Sequence, residues 1–447
     1  MKIDLTTGDI RHHIKEIAIP SSIGFFFNTM FNVVDTYFGG QISTDALAAL
    51  SLTFPVYIMI LALSFGVGTA AATLTGNALG AKNEQAVKLY TAQSLSLGFF
   101  ASLTLTVIGL YVSESLFTFL GAKGAYLGAA IEYMEVLYYF IFSFTLVQTA
   151  NSLLSAHGDT KQYRNYLILS FFLNVILDPI LMYGLYGAPK LGFRGIALAT
   201  ALLQVLGCVY LCRSLIKLGV INRETPKKMI PNIKHYLTIL HHAVPASLNM
   251  MTVALGFFVS TYYVSRFGQV AVAAFGVGTR IEQIILLPAI GLNVAVISLV
   301  SQNNGANKPE RIRESFHYAI RYGAKLMAVG GLLTIIFAKS LMGFFTDDLE
   351  VINIGAYFIS IEALIFSAYC ALYISTSALQ GLKLPMFAVW IGTIRQIILP
   401  FAAMYILIDI LGYGLSSVWY SRFVATGAAA VFTLWYAQRV INKLNYQ

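Results

Sequence analysis

Nine residues of the first half of the chain return at a fixed distance in the second. Pro20, Ser22, Thr36, Tyr37, Ala48, Ala49, Gly66, Gly80 and Ala81 recur 225 residues later as Pro245, Ser247, Thr261, Tyr262, Ala273, Ala274, Gly291, Gly305 and Ala306. That period is about half the chain and far longer than the roughly 20–50 residues of solenoid repeats, so the duplicated unit is a whole lobe. A duplicated chain folds as two related halves, and a position where one copy departs from the other marks specialisation. The first copy reads Asp35-Thr36-Tyr37 where the second reads Ser260-Thr261-Tyr262.

Only 11% of residues are charged and 57% are hydrophobic, against about 25% charged in ordinary soluble domains. The mean hydropathy is +0.72. Apolar stretches long enough to cross a hydrocarbon core of roughly 30 Å recur at 12–40, 46–76, 87–112, 127–156, 163–186, 193–216, 237–265, 270–300, 315–340, 352–380, 386–410 and 414–438. The expected fold class is an all-α membrane protein with twelve transmembrane helices in two six-helix repeats. Six crossings return the chain to its starting side, so the repeats should be related by a pseudo-two-fold along the membrane normal. The basic, Pro-containing stretch between Arg213 and Lys234 is the one sizeable shift in composition. It divides the chain into an amino-terminal lobe (1–218), a cytoplasmic linker (219–236) and a carboxy-terminal lobe (237–447).

The net charge of +9 is not a nucleic-acid signature, because its distribution follows membrane topology. With the amino terminus in the cytoplasm, 21 of the 29 Lys and Arg residues, Lys2 and Arg223 among them, fall on the inner side and five on the outer. The positive-inside rule therefore places both termini in the cytoplasm. The first residues are polar and run straight into the first span, so no cleavable signal peptide is expected. Cys208, Cys212 and Cys370 lie within spans and read as small core residues, not as a disulfide framework. GxxxxGK[ST] is absent, and Gly66-Val67-Gly68 lies in an apolar helix where close packing explains it. No nucleotide-binding domain fits in the short loops, so no cofactor and no direct ATP use are expected. HExxH and Asp-rich metal motifs are also missing, which argues against an enzyme.

Ionisable groups inside the membrane carry the chemistry, because an unpaired charge there costs at least about 2.5 kcal/mol. Asp35 on the first span and Asp178 on the fifth fall at similar depth in the outer half of the bilayer. Asn174 precedes Asp178 by one helical turn, which puts an amide and a carboxyl on one helix face. The three can form one polar cluster that binds a cation or a proton, burial and a second carboxylate both favouring protonation. Pro20 and Pro179 interrupt their helices' hydrogen-bond ladders and permit bending. In the second lobe, Arg280 and Glu282 are two residues apart and near a span end, so snorkelling to the interface is their default reading. Glu362 and Arg395 lie deeper, Arg395 at the repeat position of Asn174, and nothing in the sequence pairs them.

Asn32-Val-Val-Asp35-Thr-Tyr37, Gly76-Asn-Ala-Leu-Gly-Ala-Lys82, His157-Gly-Asp-Thr-Lys161, Asn174-Val-Ile-Leu-Asp178-Pro179 and Gly192-Phe-Arg-Gly195-Ile-Ala-Leu-Ala-Thr200 together resemble the multidrug and toxic compound extrusion (MATE) family, in its DinF-type bacterial branch. The resemblance covers essentially the whole chain. It implies that Asp35 is the essential first-helix aspartate, that Tyr133, Asn174, Asp178 and Thr200 complete a polar amino-lobe cluster, and that Pro20 is where the first helix bends. It also implies the bacterial inner membrane. The seventh span has no acid between Pro245 and Arg266, and Tyr369 stands at the tenth-helix acid position. A carboxy-lobe sodium site of the NorM type is therefore not expected.

The reading is of a cation-coupled antiporter, with protons favoured, that exports amphipathic cationic organic compounds and drugs as a monomer by rocker-switch alternating access. The alternatives are a sodium-coupled exporter, with sodium at Asp35 and Asp178, and a lipid or lipid-linked-sugar flippase of the wider superfamily. Apart from that sodium, no bound metal is expected. The partners are then small organic substrates, protons or sodium, and the lipid bilayer.

Overall fold

The computed structural model describes residues 4–42, 44–119, 123–222 and 224–444. Lys2 and Arg223, both expected on the cytoplasmic side, lie outside the described residues. Every regular element among those described is helical, as lipid demands of a chain whose backbone groups must be satisfied within each segment.

In the amino-terminal half the spans are α1 (Ile10–Ile42), α2 (Thr44–Gly80), α3 (Glu84–Phe119), the pair α4 (Gly124–Tyr139) and α5 (Ile141–Ala156), α6 (Lys161–Tyr183) and α7 (Phe193–Lys217). A four-residue helix, α8 (Thr225–Lys228), lies in the linker. The carboxy-terminal half repeats the order with α9 (Ile233–Ser265), the pair α10 (Gln269–Ile285) and α11 (Leu287–Gly305), α12 (Pro309–Gly343), the pair α13 (Leu349–Ala363) and α14 (Phe366–Gly381), then α15 (Met386–Thr393), α16 (Leu399–Met404) and α17 (Ser416–Asn442). Among the described residues, eight helices are single apolar spans, and three helix pairs bent by 51°, 45° and 50° form three more. At 27 residues, α17 is long enough to make the twelfth.

The duplication is visible in the backbone. Phe140, between α4 and α5, has φ −110° and ψ 9°, and Ile365, between α13 and α14, has φ −106° and ψ 9°. Both halves thus break their fourth crossing in the same bridge-region conformation. The halves diverge where prolines differ. Pro288 opens α11 and removes a backbone donor, so the eighth crossing breaks there, whereas Leu63 at the matching position lets α2 continue unbroken. Two π-helical turns, Ile394–Ile398 and Tyr405–Ile410, flank α16 in the eleventh crossing. Its counterpart α6 is regular.

Two compact units emerge, and each takes the base of the other half's first helix. Of the described residues, one unit contains those within 23–79 and 83–247, and the other contains those within 4–22, 80–82 and 248–444. The base of α1 thus belongs to the second unit and the base of α9 to the first, and each helix changes unit just past Pro20 or Pro245. The repeated glycines explain this packing. A Cβ on Gly66 would collide with Ser247 Oγ and the Ala243 carbonyl, and one on Gly291 with Ser22 Oγ and the Ala18 carbonyl. Only glycine permits such close backbone approach.

The chain segments that precede these helix bases are fastened by side chains that bond to their backbone. Arg311 donates to the carbonyls of Leu5, Thr7 and Gly8, and Lys308 to that of Thr6. Gln93 donates to the carbonyls of Lys228 and Ile230, which holds the linker. Thr6 donates through its hydroxyl and its amide to Asp4, holding that carboxyl below the usual carboxylate range. Cys370 is buried as expected, but Cys208 and Cys212 are only half-buried on α7, and all three are free thiols.

Candidate functional site

Three helices of the amino-terminal half converge on Asp35. The carboxylate projects from α1, Asn174 and Asp178 project from one face of α6, and Thr200 from α7, which packs along α6. Asn174 Nδ2 donates to Asp35 Oδ1 at 2.9 Å and to Asp178 Oδ1 at 3.0 Å, so the amide spends both its donors on bridging the two acids. Thr200 Oγ1 donates to Asp35 Oδ2 at 3.0 Å. Asn174 and Asp178 are fully buried, and Asp35 is 8% exposed.

The bridge leaves two buried oxygens, Asp178 Oδ2 and Asn174 Oδ1, with no hydrogen-bond partner among the described residues. Two carboxylates held by one neutral amide, with no basic residue in an ion pair with either among the described residues, repel unless a proton or a cation joins them. The arrangement therefore has the chemistry of a reversible positive-charge site. Among the described residues no group of three or more His, Cys, Asp or Glu side chains is placed to hold a metal ion.

Of the residues singled out in the sequence, Asp35, Asn174, Asp178 and Thr200 come together. Tyr133, on α4, makes no hydrogen bond to them among the described residues. It stacks on Phe193 with ring centroids 4.8 Å apart, and its phenol and that of Tyr57 lie within coulombic reach of Asp35. Pro20 is remote, fifteen residues before Asp35 on α1 and roughly 22 Å along the helix axis. Pro20 interrupts the ladder of α1, yet the helix continues through it. Two neighbouring serines back-bond in that region, Ser21 Oγ to the Ile17 carbonyl and Ser22 Oγ to that of Ala18.

The carboxy-terminal half holds a second buried polar group that sequence reasoning missed. Arg422 on α17 donates through Nε to Glu362 Oε1 at 2.8 Å and through Nη2 to Glu282 Oε2 at 3.3 Å, and its guanidinium lies over Phe275 and Phe358. Glu282 is thus buried and paired, not snorkelling, whereas Arg280 is exposed as expected. The two are opposite because residues two apart point to different faces of a helix. Glu362 pairs with Arg422 and not with Arg395, whose guanidinium lies 5.3 Å from the Tyr369 ring centre. The partners are 60 and 140 residues from Arg422. No spacing rule reaches across three helices, so of this group only the depth of Glu362 was readable.

Twelve crossings in two repeats, with buried acids inside the membrane, define a multi-pass membrane transporter. The MatE family model matches residues 20–180 and 245–419, one match per repeat and each beginning at the duplicated proline. The chain belongs to the MatE family. It is 28% identical over 408 residues to a Shewanella oneidensis protein called FAD transporter, with 91% of this chain and 90% of the relative covered. It is 26% identical to the Staphylococcus aureus multidrug export protein MepA, with 77% and 75% covered. The structure superposes on a MATE crystal structure in complex with MaL6 with a TM-score of 0.93, at 24% identity and 99% coverage of both chains. It also superposes on a MOP superfamily transporter from Pyrococcus furiosus with a TM-score of 0.91, at 23% identity, covering 100% of this chain and 99% of that one.

Proposed function

We propose that this protein is a proton-coupled antiporter that exports amphipathic organic compounds, cationic ones foremost, across the bacterial inner membrane by alternating access. The observation that carries the reading is the Asn174 bridge between Asp35 and Asp178. A buried acid pair without a basic partner is stable with a proton and strained without one, so gain and loss of that proton can drive a change of state. Asp35, Asp178, Asn174 and Thr200 form the coupling site, Tyr133 lies beside it, and Pro20 is the hinge. Coupling then belongs to the amino-terminal lobe (1–218), since Ser260 and Leu399 replace the two aspartates in the carboxy-terminal lobe (237–447).

Sodium at the same acids is the second reading, favoured by the two unpartnered oxygens, which suit a bound cation as well as a proton. Proteoliposomes separate the two. A pH gradient without sodium should drive export of a cationic dye, and a sodium gradient at uniform pH should not. Export driven by sodium alone would assign the site to that ion. The name of the Shewanella relative extends the candidate substrates to flavin adenine dinucleotide, an aromatic compound whose phosphates call for a cation in the protein.

A further inference from the structure

Among the described residues, Arg395 is the one deeply placed cation of the carboxy-terminal half whose bonds are unfinished. It is 4% exposed and forms part of the π-helical turn Ile394–Ile398, a distortion frequent at functional sites. Among the described residues no carboxylate lies within ion-pair distance of it, its Nε is buried without a partner, and Nη1 reaches only Thr426 Oγ1 at 3.5 Å. The two acids of this half are both drawn to Arg422. Tyr369 stands between the two groups, its hydroxyl directed to Glu362 Oε2 at 3.4 Å and its ring under Arg395.

The charges balance over the set, two acids against two guanidinium groups, which makes Arg395 tolerable in the membrane. Balance at a distance does not satisfy its donors, however, and a guanidinium presents them in a planar fork that fits a carboxylate or a phosphate. The repeat sharpens the contrast. Pro400 follows Leu399 as Pro179 follows Asp178, which aligns Arg395 with Asn174. One position thus bridges two acids in the first half and, in the second, carries a guanidinium with no ion-pair partner among the described residues.

We propose that Arg395 is a binding site for an anionic oxygen group, phosphate or carboxylate, on the exported compound, with the Thr426 hydroxyl as a second donor and the Tyr369 ring fixing the guanidinium plane. The proposal rests on the exporter reading and names part of the substrate class. Binding to the purified full-length protein in detergent needs no gradient, so the result stands whether or not proton coupling does.

Two matched pairs of fluorescent probes test it: riboflavin against flavin mononucleotide, which differ by a phosphate, and rhodamine B ethyl ester against rhodamine B, which differ by an esterified against a free carboxyl. Wild-type protein should bind the acid member of at least one pair about tenfold or more tightly than its partner, the size expected of one charge-assisted bond. R395Q should abolish that preference while leaving the other member's affinity unchanged, and R395K should keep most of it. Equal weakening of both members by R395Q, or no preference in the wild type, would overturn the proposal. Should R395Q not fold, inorganic phosphate or acetate, matched to the favoured pair, decides on the wild type. Displacement of the acid member alone supports the site, and failure to displace it counts against.

Discussion

Asp35 and Asp178 are held by an amide and not by a cation, which distinguishes them from Glu282 and Glu362. The distinction makes opposite predictions for substitutions that look alike. Asp35→Asn preserves size and the Thr200 contact but removes titration, so it should insert and fold normally while pH-driven exchange in proteoliposomes falls to the protein-free background. Exchange at wild-type rate by that variant would remove Asp35 from the mechanism. Glu362→Gln should retain ion-driven exchange, because Arg422 still has Glu282; loss of exchange there, with Asp178→Asn active, would place the ion in the other lobe. Arg422→Met should instead act on stability, leaving two buried carboxylates without their shared partner at a cost of about 3–5 kcal/mol, read as a lowered melting temperature in detergent. The face shared by Asn174 and Asp178 was legible from their spacing. Thr200 was legible only through the family's pattern, because a contact between helices leaves no trace in local periodicity, and Tyr133, named by the same pattern, stacks on Phe193 instead of bonding to the acids.

Individual helices carry the duplication unevenly, and their differences follow from single residues. The crossings were legible as apolar runs, but their breaks were not. Pro288 foretells the bend between α10 and α11, whereas Phe140 and Ile365, which share one conformation, carry no comparable mark in the sequence. The helices α1 and α9 are each constrained near the base, where they pack against a glycine. Gly66→Ala and Gly291→Ala should each cost about 1–3 kcal/mol through overpacking, while Gly276→Ala, whose added methyl would point into open space, should be tolerated; thermal melts of the three compare them directly. Past Ser22, α1 leaves that contact and carries Asp35. A spin-label pair spanning Pro20 should therefore report a pH-dependent change of distance in the wild type, and none in Asp35→Asn. A response that survives the substitution would detach the bend from Asp35.

For the molecule as a whole, the charge distribution sets the expected orientation in the membrane, and the structure constrains which connections share a side. Arg311 and Lys308 clasp residues 5–8, so the amino-terminal segment and the connection between α11 and α12 share one side of the bilayer. Within the other unit, Gln93 near the start of α3 holds the linker at Lys228 and Ile230, so the α2–α3 connection and the linker share a side as well. Any orientation must keep each pair on one side, and the expected count of 21 basic residues inside against five outside does so. The prediction uses three exposed positions, Lys227, Glu310 and Asp347. In a cysteine-free background, cysteines introduced at 227 and 310 should react with a membrane-impermeant maleimide only in inside-out vesicles, and one at 347 only in intact cells. The α12 helix carries Arg311, Arg313, Arg321 and Lys325 in its first half and Lys339 near its far end, so it alone would have to translocate four cations if the orientation were reversed. Labelling of position 347 from the inside only would therefore overturn the whole topology, and with it the cytoplasmic placement of both termini.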